Sequence, residues 1–225
     1  MKVIVAGSEG LIGKSVSSHL EECGHEVIRC DLALGHDLTN EEFTKRFFKK
    51  NPADALVNLF ALNDHLDAER TSSDLYEISL QSFSDYMHCN LTTLFSVWRE
   101  YARNNERGSI VNFSSTYGVV SPQPDLYDKK NPKHVGYCVS KAGVTQLTKY
   151  LGVHLAPNFR VNCVVPGGVE RNHRDSFLEL YAGKTPLGRM MNVKEINGII
   201  KYLISEEASY TTASVICVDG GWTAW

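Results

Sequence analysis

The sequence lacks the charge pattern of a nucleic-acid-binding protein and the hydrophobic runs of a membrane protein. Its 225 residues carry 23 Lys and Arg against 26 Asp and Glu, for a formal net charge of −3, and no basic run is longer than a pair. Such a chain has no electrostatic footprint for nucleic acid. No apolar run approaches the roughly 18 residues of a membrane helix. The opening M-K-V-I-V-A-G is too short and too rich in β-branched residues for a signal peptide.

The sequence also lacks a cysteine pattern for a metal site or a disulfide framework. Its six cysteines are scattered, and no Cys-x-x-Cys occurs. This arrangement argues against a zinc site and is typical of proteins from a reducing compartment. We therefore expect a cytoplasmic protein that binds no metal and has neither nucleic acid nor a membrane as a partner.

Short apolar runs alternate with longer amphipathic segments along the whole chain. Continuous apolar runs of this length fit strands that are buried on both faces of a parallel sheet. The alternation predicts a three-layer, doubly wound α/β fold with right-handed crossovers, formed by one domain that spans residues 1–225. The predicted strands are 3–6, 27–30, 55–61, 110–113, 161–165 and 215–218. The predicted helices are 11–23, 41–50, roughly 75–104, 137–155 and 194–205.

Two segments show no regular pattern, residues 121–134, which contain three prolines, and residues 167–189. Long irregular segments inside a compact domain are often functional. We therefore expect both segments to border a ligand cleft.

Three glycines follow the first predicted strand at Gly-x-x-Gly-x-x-Gly spacing: Gly7, Gly10 and Gly13. A strand that turns sharply into a helix presents backbone N–H groups, here including those of Leu11 and Ile12, to a pyrophosphate. The spacing differs from the Gly-x-Gly-x-x-Gly fingerprint, and a tight turn without a ligand is the alternative. The strand before the turn and the helix after it favour dinucleotide binding.

An acidic residue, Asp31, ends the second predicted strand. A carboxylate in this place can accept both hydrogen bonds of an adenosine ribose and would repel a 2′-phosphate, which favours NAD over NADP. Glu9 adds negative charge inside the glycine turn. Arg29 is a weaker signal in the opposite direction, and an ordinary acidic residue at a strand end is the alternative for Asp31.

Further motifs make the chain resemble the short-chain dehydrogenase/reductase family over essentially its whole length. After the glycine turn they follow in the family's order: D-L-T at 37–39, C-N-L-T from Cys89, S-I-V-N-F-S-S at 109–115, Y-C-V-S-K at 137–141, R-V-N-C-V-V-P-G-G-V at 160–169, T-P-L-G-R-M at 185–190 and V-D-G-G-W at 218–222. The resemblance implies a Rossmann fold of about seven strands and an NAD-dependent oxidoreductase that interconverts a secondary alcohol and a ketone.

The resemblance implies a catalytic tetrad of Asn90, Ser115, Tyr137 and Lys141, with Ser114 as the second choice for the serine. A free phenol has a pKa near 10, too high for an efficient base at neutral pH. Lys141 lies one helical turn after Tyr137, where its charge would lower that pKa. Ser115 would hold the substrate oxygen, and Asn90 would hold a water that relays protons to Lys141.

The resemblance also implies further contacts with the cofactor. Lys141 would hydrogen-bond the nicotinamide ribose, and Tyr137 would lie beside the nicotinamide. The other implied contacts are Asp37 and Leu38 at the adenine ring, Asn58 beside the cofactor, Pro166 and Gly167 against the nicotinamide, and the backbone of Val169 at the carboxamide.

Three features depart from the family pattern. The segment N-L-F-A at 58–61 replaces the usual Asn-Asn-Ala-Gly, and 22 positions separate Ser115 from Tyr137 where compact members have about a dozen. The glycine spacing and S-S-T-Y-G are typical of the extended, sugar-nucleotide branch, whereas the C-terminal motifs resemble the compact branch. This mixture suggests an amino sugar, a sugar phosphate or a nucleotide sugar as the small-molecule substrate.

Arginines near the second irregular segment suggest that the substrate is anionic. Arg171, Arg174 and Arg189 are candidates for a phosphate or carboxylate contact, and solvated surface charge is the alternative. Three other functions remain open: a 3-oxoacyl-thioester reductase, an NAD-retaining epimerase or dehydratase, and a non-catalytic NAD-binding protein.

The family commonly forms dimers and tetramers by pairing two long central helices, so the resemblance implies a homodimer or homotetramer. The predicted helix 137–155 carries an apolar stripe of Val144, Leu147, Leu151 and Leu155. This stripe would serve such an assembly only if it faces outward, and periodicity does not reveal its direction.

Overall fold

The computed structural model describes residues 1–63, 75–127 and 133–225, and in these residues six parallel strands form one sheet. The sheet order is β2-β1-β3-β4-β5-β6. The strands are β1 (Lys2–Ala6), β2 (Glu26–Cys30), β3 (Ala55–Asn58), β4 (Gly108–Phe113), β5 (Phe159–Pro166) and β6 (Val215–Val218). The count is six rather than about seven, because each of the six apolar runs forms one strand and no further strand joins them in the described residues.

Helices cover both faces of this sheet. They are α1 (Leu11–Glu22), α2 (Glu41–Lys50), α3 (Leu80–Met87), α4 (Thr93–Arg103), α5 (Val135–His154), α6 (Asp175–Ala182) and α7 (Asn197–Ile204). Successive residues of a strand point to opposite faces. In β1, Val3 and Val5 pack with α1 and α7, whereas Ile4 and Ala6 pack with α2, α4 and α5. The doubly wound fold is therefore confirmed.

The long helix predicted over roughly 75–104 is divided. Helix α3 begins only after Ser79, whose hydroxyl accepts a hydrogen bond from the N–H of Ser82 at 3.0 Å. A π-helical turn, His88–Thr92, then separates α3 from α4 and carries Asn90. Such a turn adds one residue to the helix and is frequent at functional sites.

A helix that the sequence did not predict, α6, lies within the segment 167–189. One apolar face explains its formation, since Phe177, Leu178 and Tyr181 pack in a small cluster with Leu126 and Trp222. The chain before α5 contributes Leu126 to this cluster through a single 3-10 turn, Pro124–Leu126. The two segments predicted to be irregular therefore pack against each other.

Strand β3 is shorter than predicted, since it ends at Asn58 rather than at residue 61. The chain beyond it passes directly under the glycine turn, where a Cβ on Gly7 would lie 2.5 Å from the backbone nitrogen of Phe60. The backbone of this stretch therefore lies against the turn instead of continuing the sheet, and the side chains of Leu59 and Phe60 pack in the core.

The apolar stripe of α5 points toward the sheet. Val144 and Leu151 are each 1% exposed, and Leu147 and Leu155 pack against the same core. The stripe is therefore core and gives no support to an assembly. In the described ranges, 1–63, 75–127 and 133–225, no helix is long and apolar enough to span a membrane.

Candidate active site

The predicted functional residues lie at one edge of the sheet. The glycine turn follows β1, Asp31 follows β2, and Asn58 ends β3. Ser115 lies just beyond β4, and Pro166 ends β5. Since all strands are parallel, their carboxyl ends share this edge, which is where doubly wound sheets bind ligands.

The glycine turn has the shape of a phosphate cradle. Gly7 has φ 86°, and its N–H donates to the carbonyl oxygen of Cys30 at 2.7 Å. A Cβ on Gly13 would lie 2.0 Å from the carbonyl oxygen of Gly7, so a side chain there would open the turn. Gly10 has no contact closer than 3.5 Å in the Cβ direction, and no side chain caps α1 at this residue. The helix therefore begins with N–H groups that a pyrophosphate would satisfy.

The carboxylate of Asp31 is held in place by the backbone. Its Oδ2 accepts from the N–H of Glu9 at 2.9 Å, and its Oδ1 accepts from the N–H of Ala33 at 2.9 Å. Each carboxylate oxygen has a second lone pair, so two ribose hydroxyls still find acceptors. The arrangement fits the predicted role.

The neighbouring cation, Arg29, is already paired. Its guanidinium contacts the carboxylate of Glu21 at 3.1 Å and that of Glu9 at 3.5 Å. Hydrogen bonding to Glu21 is the main cause that raises the pKa of Arg29. A 2′-phosphate would have to compete with both carboxylates for this arginine.

Asn58 is buried and leaves one acceptor without a protein partner. Its Nδ2 donates to Oδ1 of Asn112 at 2.9 Å, whereas its own Oδ1 has no hydrogen bond in the described residues. An unsatisfied buried acceptor costs about 1–3 kcal/mol.

The D-L-T segment is only partly suited to an adenine contact. Asp37 accepts from the N–H of Thr39 at 2.9 Å and from its hydroxyl at 2.6 Å. Leu38 is buried in the core with α2, and its carbonyl oxygen accepts from the hydroxyl of Thr44 at 3.0 Å. A contact of Leu38 with adenine would therefore use its backbone N–H.

Tyr137 lies beside both Ser115 and Lys141. Tyr137 and Ser115 are both 9% exposed, and Lys141 is 4% exposed. Burial raises the pKa of Tyr137, and a hydrogen bond with Ser115 acts in the opposite direction. The Nζ of Lys141 donates to the carbonyl oxygen of Phe113 at 2.9 Å, and burial lowers the pKa of Lys141 to about 8.

The structure separates the two adjacent serines. The hydroxyl of Ser114 donates to the carbonyl oxygen of Lys141 at 2.7 Å and ties the end of β4 to α5. The hydroxyl of Ser115 caps the short 3-10 turn Thr116–Gly118 by accepting from the N–H of Tyr117 at 3.2 Å, and it also bonds Tyr137. Ser115 is therefore the serine at the tyrosine, and Ser114 is a packing residue.

Asn90 connects the chain after β3 to α5. Its Oδ1 accepts from the N–H of Leu62 at 2.6 Å, and its Nδ2 donates to the carbonyl oxygen of Leu62 at 3.1 Å and to the hydroxyl of Ser140 at 3.0 Å. Both amide hydrogens are used within the protein. A water bound to Asn90 would therefore have to donate a hydrogen bond to a carbonyl oxygen of this residue.

Comparison with known proteins decides the family. A family profile described as enoyl-(acyl carrier protein) reductase matches residues 1–223. A crystal structure of a short-chain dehydrogenase from Leptospira borgpetersenii with bound NAD+ superposes with a TM-score of 0.84 and 26% identity, over 99% of this chain and 92% of that one. The chain belongs to the short-chain dehydrogenase/reductase family. It is thus an oxidoreductase that acts on a CH–OH group or its carbonyl.

Two curated relatives of this short-chain dehydrogenase/reductase carry different names. The 3-oxoacyl-[acyl-carrier-protein] reductase of Aquifex aeolicus is 30% identical over 97% of this chain and 86% of its own length. The post-translational flagellin modification protein A of Campylobacter coli is 26% identical over 98% of this chain and 97% of its own length. Family membership is common to both, whereas the names point to different substrates.

Two pairs of aromatic residues lie in the segments before α5 and around α6 of this family member. The hydroxyl of Tyr127 donates to that of Tyr117 at 2.6 Å. Tyr181 stacks on Trp222 with ring centroids 4.6 Å apart, and its hydroxyl accepts from the N–H of Gly168 at 2.6 Å. An ion pair of 2.7 Å between Lys184 and Asp125 joins the chain before α5 to the end of α6. Sequence reasoning missed Tyr127 and Tyr181 because they belong to no quoted motif, and it used Tyr117 only as part of S-S-T-Y-G.

The three arginines proposed for an anionic substrate differ in their surroundings. Arg189 forms a bidentate pair with Glu195, at 2.6 and 2.7 Å, and also donates to the carbonyl oxygen of Met190. Its charge is therefore compensated, which disfavours it as an anion site. Arg171 and Arg174 are exposed in the loop before α6.

Sequence reasoning also missed Lys133. Its Nζ lies 4.0 Å from the centroid of the Tyr137 ring and donates to Oδ1 of Asn63. A signal was present, because Lys133, Tyr137 and Lys141 follow one another at intervals of four residues. Residues 128–132, which precede Lys133, lie outside the described residues.

Proposed function

We propose that this short-chain dehydrogenase/reductase interconverts a secondary alcohol and a ketone with NAD as its cofactor. The observation that carries the proposal is the contact of buried Tyr137 with Ser115, one helical turn from Lys141. The glycine turn, which fits a pyrophosphate, lies at the same edge of the sheet.

Bound NAD supplies the hydride acceptor for alcohol oxidation, and NADH supplies the donor for the reverse reaction. The protein moves the proton. In oxidation, the phenolate oxygen of Tyr137 takes the proton of the substrate hydroxyl as the carbonyl forms, and in reduction the phenol returns it. The hydroxyl of Ser115 holds the substrate oxygen and stabilises charge that develops on it.

Lys141 supports this proton transfer by its charge. With a pKa of about 8 it remains mainly protonated at neutral pH. A buried ammonium interacts more strongly with a nearby phenolate than an exposed one does, because little water screens it. We also propose that Asn90 takes part in the relay of protons to Lys141. Its hydrogen bonds to Leu62 and Ser140 hold the π-helical turn beside α5.

The preference for NAD rests on Asp31 and Arg29. The fixed carboxylate of Asp31 suits ribose hydroxyls and repels a 2′-phosphate. Arg29, the nearby cation that could favour NADP, is engaged by Glu21 and Glu9.

The other cofactor contacts are proposed from position. The short bridge between Val169 and Met191 uses the N–H of Glu170 and the carbonyl of Gly168, so it leaves the backbone groups of Val169 for a carboxamide. The remaining proposed contacts are Gly7, Gly10, Leu11, Ile12 and Gly13 at the pyrophosphate, Asp37 and Leu38 at adenine, Asn58 beside the cofactor, and Pro166, Gly167, Tyr137 and Lys141 at the nicotinamide and its ribose.

For the substrate we propose an amino sugar, a sugar phosphate or a nucleotide sugar. The name of the Campylobacter relative places that protein in flagellin modification, and Arg171 and Arg174 are exposed cations next to α6. A 3-oxoacyl thioester is the second candidate, favoured by the name of the Aquifex relative. The polar segment before α5 supports the first candidate.

The test measures reduction of NAD and of NADP with a panel of secondary alcohols, sugar phosphates and nucleotide sugars, and oxidation of NADH and NADPH with a 3-oxoacyl thioester. We expect turnover with NAD, and a loss of about 10²-fold or more in kcat for Tyr137→Phe. Tyr150→Phe is the matched control, because Tyr150 lies on the same helix and is 56% exposed.

An unchanged kcat in Tyr137→Phe would refute the proposed site. Turnover restricted to NADPH and the thioester would refute the proposed cofactor and substrate while leaving the site intact.

We also propose that the enzyme works in the cytoplasm as a homodimer or homotetramer. Phe95, Val139 and Val153 are exposed apolar residues on α4 and α5, from 43% to 68% exposed, and contact between copies would cover them. Analytical ultracentrifugation of the purified protein tests the assembly, and a monomer at micromolar concentration would contradict it.

A further inference from the structure

A second ammonium group lies beside the tyrosine of the active site. The Nζ of Lys133 is 4.0 Å from the centroid of the Tyr137 ring, whereas the Nζ of Lys141 is 5.9 Å from it. Both distances are within the roughly 6 Å over which a cation interacts with an aromatic ring. Lys133 approaches Tyr137 from the chain before α5, and Lys141 approaches it from the following turn of the helix.

Lys133 is fixed at both ends. Its backbone precedes His134, whose Nδ1 accepts from the N–H of Gly136 at 3.0 Å and caps α5, and whose ring stacks on Tyr86 at 4.2 Å. At the other end, its Nζ donates to Oδ1 of Asn63 in the chain after β3. Its side chain therefore spans from the start of α5 to the carboxyl edge of the sheet, across the face of Tyr137.

The surroundings of Tyr137 give a reason for a second cation. Burial raises the pKa of the phenol, which opposes its use as a base. Burial also lowers the pKa of Lys141 to about 8, so this cation loses its proton in mildly alkaline solution. The other titratable groups that interact with Tyr137 or Lys141 are thiols and phenols, which carry no positive charge: Cys89, Cys138, Cys163, Tyr117 and Tyr127. In the described residues, the cations beside Tyr137 are therefore these two lysines.

We infer that Lys133 is a positioning residue that holds the Tyr137 ring and favours its ionised form, so that two lysines share the activation of one phenol. The inference rests on the proposed role of Tyr137 in proton transfer. Lys133 takes no part in bond making or breaking, since it acts through the tyrosine. Burial raises the pKa of the adjacent thiol of Cys138, and the charge of Lys133 acts in the opposite direction.

The test follows ionisation of Tyr137 without any substrate. The near-ultraviolet phenolate absorbance of the NAD-loaded protein is titrated with pH, and the curve of the matching Tyr137→Phe variant is subtracted to remove the other tyrosines. We expect the midpoint for Tyr137 to rise by about one pH unit in Lys133→Met, a tenfold change in ionisation. Lys133→Arg, which keeps the charge, should restore it. Lys149→Met, an exposed lysine on α5, is the control.

The pH profile of kcat for alcohol oxidation provides the second readout. Loss of a cation makes the phenolate less stable, so the rising limb in Lys133→Met should move to higher pH while the plateau is kept. An unchanged midpoint in both measurements overturns the inference, as does a change confined to KM, which would make Lys133 a substrate contact. Full activity of Tyr137→Phe is a separate result that overturns the proposed function itself.

Discussion

The side chains of Ser114 and Ser115 show how adjacent, identical residues acquire different tasks. In the strand-like conformation that ends β4, neighbouring side chains point in opposite directions. Ser114 therefore meets α5 and donates to the carbonyl oxygen of Lys141, whereas Ser115 meets Tyr137. The sequence motif ranks Ser115 first by resemblance, and the geometry gives the physical reason.

Ser115→Ala should lower kcat by about 10²-fold or more, because one hydrogen-bond donor to the developing oxyanion is lost. The free energy of unfolding of Ser115→Ala should also fall, by about 1 kcal/mol, because the cap of the 3-10 turn is lost. Ser114→Ala should keep a near-normal kcat, while its free energy of unfolding falls by about 1 kcal/mol because a buried hydrogen bond is lost. The effect on kcat therefore distinguishes the two variants.

Steady-state kinetics and urea unfolding of both variants check this pair. A larger effect on kcat in Ser114→Ala than in Ser115→Ala would reverse the assignment of the two serines.

At the scale of elements, the active site depends on close packing between the turn after β4 and α5. Gly118 lies at this contact, where an added Cβ would be 2.4 Å from the hydroxyl oxygen of Ser114 and 2.7 Å from the backbone carbonyl of Lys141. A backbone carbonyl of a helix does not move aside cheaply. The glycine therefore allows the turn and the helix to approach each other.

Gly118→Ala should push this turn away from α5 and lower the stability by about 1–3 kcal/mol, as expected for overpacking. It should also reduce kcat, because Ser115 moves with the turn. Gly198→Ala is the matched control. Gly198 lies in α7 with nothing within 4 Å of an added Cβ, so alanine should stabilise the helix by about 0.5–1 kcal/mol.

Thermal and urea unfolding measure both variants. Equal stability of Gly118→Ala and the wild type would show that the turn tolerates displacement and that the close approach is unimportant.

At the scale of the whole molecule, burial of Lys141 lowers the stability of the fold at neutral pH, although the proposed reaction needs this charge. Burial lowers its pKa from the ordinary value of 10.5 to about 8 in the folded protein. Between these pH values the unfolded chain binds more protons than the folded one, so the stability of the wild type should rise as pH increases from about 8 to 10.5. At neutral pH the buried charge therefore destabilises the fold.

Lys141→Met should abolish turnover and yet raise the free energy of unfolding at pH 7, by up to about 3 kcal/mol if no other contact changes. The carbonyl oxygen of Phe113 loses its donor, which reduces this gain. Urea unfolding at pH 7 and at pH 10 checks the prediction. The gain should shrink at the higher pH, and a variant that is less stable than the wild type at pH 7 would contradict it.

The sequence by itself determined the order of strands and helices, since each of the six apolar runs forms a strand and local periodicity records local structure. It also placed the glycine turn, Asp31 and the Tyr137–Lys141 pair, because each depends on residues that are close along the chain. Helix α6 and the division of the long helix before β4 were not predicted. Both depend on distant partners, the cluster with Trp222 for α6 and the bonds of Asn90 to Leu62 for the π-helical turn.

Only the tertiary structure decided how side chains from separate elements combine. The apolar stripe of α5 faces the core, and Arg29 and Arg189 pair with carboxylates. The Nζ of Lys133 lies over the ring of Tyr137. The physical reason is the same in each case. Helical periodicity shows which residues share a face, but the partner of that face, or of a charge, is chosen by the packing of segments that are remote in the chain.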